Sequence, residues 1–193
     1  FEYGIVKTRM LEGESEDNED WQVGHPVLFP NILLSGSTSR PTFQIRVPMD
    51  DTHTLHLWYT CYPRDHKAPQ EVIPFYNVPV PRIDASGEPP WSLLDNNSGE
   101  DMIAWITQGG VADRTQEALG LSDKGIILFR RQLKEQLEKV RAGEDPINVF
   151  RDPDKNRYIK LRLEDRKLNS GSFRPGQRRQ GGATKYSPVL NEE

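Results

Sequence analysis

The chain has 193 residues, enough for one domain with a core of its own. Its 25 Lys and Arg stand against 29 Asp and Glu, a formal net charge of -4. That balance argues against nucleic acid or an anionic membrane surface as the main partner. No apolar run approaches the ~20 residues that a membrane-spanning helix needs. Cys61 is the single cysteine, so the chain can close no internal disulfide. It cannot by itself hold an iron–sulfur cluster or a cysteine-rich zinc site. Cysteine usage fits a reducing, cytoplasmic setting. The chain opens on Phe1, with no initiator Met and no signal-like segment, and reads as the C-terminal piece of a longer polypeptide.

In chain order, residues 3–10 read as a short strand. Residues 12–20 carry six acids (Glu12, Glu14, Glu16, Asp17, Glu19, Asp20) and read as a solvated loop, because their spacing departs from the calcium-loop pattern. Residues 26–34 are apolar but interrupted by Pro30, which predicts an edge strand or a bulge. Residues 42–48 alternate, with Phe43, Ile45 and Val47 on one face and Gln44 and Arg46 on the other. Residues 53–62 form a second strand after a short turn, so the two make an antiparallel hairpin. Seven prolines between 63 and 90 leave no room for a long regular element there.

Helices follow. Ser98 reads as an N-cap and Gly109-Gly110 as a stop. Asp113 with Gln116 fits a capping box for a short helix ending at Gly120. Ser122 is placed to cap a long helix whose apolar positions Ile126, Phe129, Leu133, Leu137 and Val140 keep helical spacing, with Gly143 ending it. Residues 158–163 alternate again and predict a last strand. Residues 169–193 turn to Gly, Ser, Arg and Gln and read as a disordered or subunit-contacting tail. Hairpins first and a long helix late predict an α+β fold, an antiparallel sheet carrying helices on one face.

Few side chains gather in patterns that carry chemistry. On a helix starting near Gly99, Asp101, Trp105 and Gln108 share one face at i, i+4 and i+7, a carboxylate, an indole and an amide able to wall a polar spot in an apolar pocket. The competing reading is structural: Ser98 and Asp101 also have the spacing of a capping box, and acids favour a first helical turn. A metal would want two or three histidines together. His53 and His56 are three apart on a predicted strand and point to opposite faces, His53 toward Leu55, Leu57 and Tyr59, and His56 toward Trp58. No other His pairing is present, and no phosphate loop or nucleophile elbow.

The run Glu100–Arg131, its continuation Gly143–Asp152, the segment Gly24–Asn31 and Asp51-Thr52-His53-Thr54 together resemble the catalytic domain of the Rieske non-heme iron oxygenases. Within that family they are most similar to the phthalate dioxygenase and dehydrodivanillate O-demethylase branch. The resemblance covers about residues 1–165 and leaves residues 169–193 outside it. It implies a helix-grip domain, a curved antiparallel sheet with a long C-terminal helix packed over it. It implies a mononuclear Fe(II) held by two histidines and one carboxylate, with Asp101 as the matching carboxylate and Glu100 its immediate neighbour. Trp105, Gln108 and His53 are then candidates for the substrate pocket, and no catalytic residue beyond the metal ligand is expected in the chain. The two histidine ligands and the domain holding a 2Fe-2S cluster are expected upstream of Phe1. The implied partners are an aromatic substrate, O2, an NAD(P)H-dependent reductase and further copies of the chain in a homotrimer. The implied reaction is ring hydroxylation or oxidative O-demethylation, with the chain incomplete on its own. Two alternatives stand beside it: a metal-free module that encloses a hydrophobic ligand in the same sheet-and-helix form, and an assembly piece that grips a neighbour through its tail.

Overall fold

The computed structural model describes residues 1–37, 40–61, 75–95, 97–161 and 186. The chain divides into two compact units. The first comprises Phe1–Asp50, Thr54–Pro63 and Thr115–Lys167; the second comprises Asp51–His53, Arg64–Arg114 and Leu168–Glu193.

The first unit is built on a five-stranded antiparallel sheet in sequence order. Its strands are β1 (Gly4–Lys7), β2 (His25–Leu28), β3 (Ile32–Ser37), β4 (Arg40–Pro48) and β5 (Thr54–Thr60), with a short helix, α1 (Glu19–Gln22), between the first two. Sequential antiparallel pairing needs only short connections, and β2 to β5 are joined by them, whereas a longer segment carrying α1 links β1 to β2. The acidic segment before α1 is solvated as expected, and Arg9 draws its end back to the strand by an ion pair to Asp20 at 2.7 Å.

Gly4 lets β1 approach β2 closely: a Cβ there would lie 2.0 Å from the Val27 carbonyl oxygen. Pro30 does not mark an edge strand or a bulge. It sits in the turn between β2 and β3, after a cis Phe29–Pro30 bond, where Leu28 pairs with Ile32. Both strands are interior to the sheet.

Register fixes the two faces. Leu34 stands opposite Phe43, and Phe43 opposite Tyr59; Ile32 stands opposite Ile45, and Ile45 opposite Leu57. That face is apolar. The other carries Val27 opposite Leu33, Gln44 opposite Trp58 and Arg46 opposite His56. The expected β4–β5 hairpin is present, but β5 begins at Thr54, so His53 lies just outside the strand.

The long helix, α3 (Lys124–Arg141), keeps the expected spacing and ends before Gly143, whose φ of +79° suits only glycine without strain. Its start differs from expectation. Ser122 falls inside a single 3-10 turn, Leu121–Asp123, and Asp123 occupies the N-cap position. The Asp123 carboxylate instead accepts the Gly120 N–H at 2.8 Å.

Phe129 brings α3 onto the sheet, its ring centroid 6.1 Å from that of Phe29. Arg130 forms a two-point ion pair with Glu117. Gln136 is buried and accepts the Ile147 N–H at 2.9 Å. The antiparallel sheet with a long late helix is the α+β, helix-grip-like form expected.

The short helix placed after Asp113 is a 3-10 turn, Arg114–Gln116. Residues 158–161 hold no strand, so alternation alone misled there; the remainder of that predicted strand lies outside the described residues. The tail 169–193 also lies outside them, except Tyr186. Residues 75–90 carry no helix or strand, as their prolines dictate.

Candidate metal-ligand helix

The second unit contains the helix that carries the candidate ligand, α2 (Asn97–Ile106). Gly109, at φ +86°, follows the turn that ends it. The Gly109 N–H reaches the Ile106 carbonyl at 3.3 Å and the Gln108 N–H the Trp105 carbonyl, also at 3.3 Å. The glycine stop was legible in the sequence.

The predicted cap was not right. Helix α2 begins at Asn97, so Ser98 is its second residue and Asp101 its fifth, two residues too deep for a capping box. Glu100, not Asp101, is the acid of the first turn. The Asp101 side chain is exposed and makes no hydrogen bond or ion pair among the described residues. The structural role that competed for this carboxylate is therefore vacant.

Asp101 and Trp105 sit at i and i+4 on α2, on one helical face. Trp105 is 41% exposed. Gln108 lies past the helix, in its terminating turn, so the shared face ends near Trp105. His53 also differs from expectation. It is exposed, off the β5 face of Leu55, Leu57 and Tyr59, with its ring Nδ1 3.0 Å from Thr52 Oγ1. The segment Asp51–His53 belongs to the same unit as α2. There Thr52 backs onto Gly110: a Cβ on Gly110 would stand 3.3 Å from Thr52 Cγ2. The fold thus brings the His53 segment to the end of α2, two residues beyond Gln108.

Among the described residues, no three His, Cys, Asp or Glu side chains converge as a metal site. Asp101 fits as a single hard oxygen ligand, available and unengaged; a complete iron site requires donors beyond these residues.

The first unit has its own cleft, of about 330 Å3, lined by Lys7, Val27, Pro30, Asn31, Leu33, Arg46 and Phe129. None of Asp101, Trp105, Gln108 or His53 lines it. Near it on the same sheet face, burial and then the Arg46 charge lower the His56 pKa to about 4.

Residues 94–158, which include all of α2 and α3, match the model of the LigXa C-terminal domain-like family. The 5,5'-dehydrodivanillate O-demethylase oxygenase subunit of Sphingobium sp. strain SYK-6 is 40% identical over 164 residues, 83% of this chain and 37% of that protein. The family-model match and this identity together support a Rieske-type oxygenase C-terminal domain. The phthalate 4,5-dioxygenase oxygenase subunit of Pseudomonas putida is 42% identical over 50 residues, 26% of this chain and 11% of that protein. The chain therefore spans little more than a third of the length of its longer-matching relative. No helix among the described residues is long and apolar enough to cross a membrane.

Proposed function

We propose that this chain is the C-terminal part of the catalytic domain of an oxygenase component, and that Asp101 is the carboxylate ligand of its mononuclear Fe(II). One observation carries the reading: α2 presents an exposed carboxylate with no partner among the described residues and no capping duty, inside the family-matched segment. The complete protein then oxidises an aromatic substrate by hydroxylation or oxidative O-demethylation. It draws electrons from NAD(P)H through a reductase and a 2Fe-2S cluster held outside these residues, and works as a homotrimer in the cytoplasm.

When bound, ferrous iron supplies the oxygen chemistry, and the protein orients the substrate and keeps the site dry. The chain's own part is narrower. Asp101 offers one oxygen donor and a negative charge that offsets the metal's charge without redox change. Its place on a helix, rather than a loop, fixes the direction of that donor. Trp105, one turn on, is placed to give an apolar wall beside it. Gln108 and His53, at the end of α2, would offer hydrogen-bonding groups to a substrate.

The test uses the full-length protein. Asp101→Ala is expected to lose bound iron and turnover together, while Glu100→Gln keeps both. Full iron occupancy in Asp101→Ala, or loss confined to Glu100→Gln, would sink the assignment.

A further inference from the structure

We draw no further inference here: the strongest candidate, the cleft of the first unit between Lys7, Leu33, Arg46 and Phe129, carries nothing, because of its two cations Lys7 is exposed and Arg46 is already engaged by Gln44 at 2.9 Å, and nothing in the structure shows what fills it.

Discussion

The side-chain amide of Asn148 donates to the Phe29 carbonyl at 2.6 Å and to the Tyr3 carbonyl at 3.0 Å. It ties the segment after α3 back to the first turns of the sheet, across more than a hundred residues of chain. Asn148 also has a φ of +68°, a left-handed conformation that Asn tolerates better than most residues. Two demands meet at one position, and they can be separated. Asn148→Gly keeps the backbone and loses only the hydrogen bonds, and is expected to cost about 1–2 kcal/mol. Asn148→Ala loses both and is expected to cost about 2–4 kcal/mol. Urea unfolding of the three proteins checks the order; an alanine variant no less stable than the glycine variant would refute the backbone half of the argument.

His56 stands edge-on to Trp58, their ring centroids 4.8 Å apart at 62°. Burial, and after it the charge of Arg46, lowers its pKa from 6.5 to about 4. The folded protein therefore holds this imidazole neutral where the unfolded chain protonates it. Between those two values the unfolded state binds more protons, so stability rises with pH. It is complete above about pH 6.5 and is lost as the pH falls toward 4; because His56 is only half-buried, solvent screening keeps the loss to about 1 kcal/mol. His56→Gln is expected to flatten this part of the profile. Unfolding midpoints at pH 7.5, 5.5 and 4.5 measure it, and parallel profiles for the two proteins would rule the histidine out as the cause.

Leu34 is the most enclosed apolar side chain of the sheet and pairs across β3 and β4 with Phe43. With few fully buried neighbours to share the load, a cavity there is felt directly. Leu34→Ala is expected to cost about 2–5 kcal/mol, whereas Leu57→Ala, on the open end of the same face, costs less in the 193-residue chain. Thermal unfolding of both variants gives the comparison, and equal losses would contradict the burial difference.

Much of the fold was legible because it rests on local periodicity. The period-two alternation of Phe43, Ile45 and Val47 gave β4, and Ile126 to Val140 gave α3. The errors fall at boundaries, where long-range pairing decides. Pro30 looked like a break in one strand, but the Leu28–Ile32 pairing makes it the turn between two. His53 fitted the alternation of β5 yet lies one residue before its ladder begins. Ser98 had cap chemistry and a partner acid, but the helix starts at Asn97, two residues earlier than that cap requires. Asp101 itself was legible only through resemblance, since a lone carboxylate on a helix has no spacing that distinguishes a ligand from a surface charge.

That ambiguity is removable by measuring stability rather than activity. A carboxylate that caps a helix or joins an ion pair contributes about 0.5–2 kcal/mol, and its loss shows in the unfolding curve. Asp101 does neither among the described residues: it lies one turn inside α2, exposed and unengaged. Asp101→Ala is therefore expected to leave metal-free stability within about 0.5 kcal/mol of the parent, as for any surface change away from a structural feature. In the iron-loaded full-length protein the parent alone gains stability from the metal, because a ligand bound only to the folded state shifts the unfolding equilibrium toward it. Denaturant titrations of both proteins, with and without Fe(II), give four curves. Coincidence of the two metal-free curves and separation of the two iron-loaded ones is the expected pattern. A metal-free loss of more than about 1 kcal/mol would return Asp101 to the helix as a structural residue.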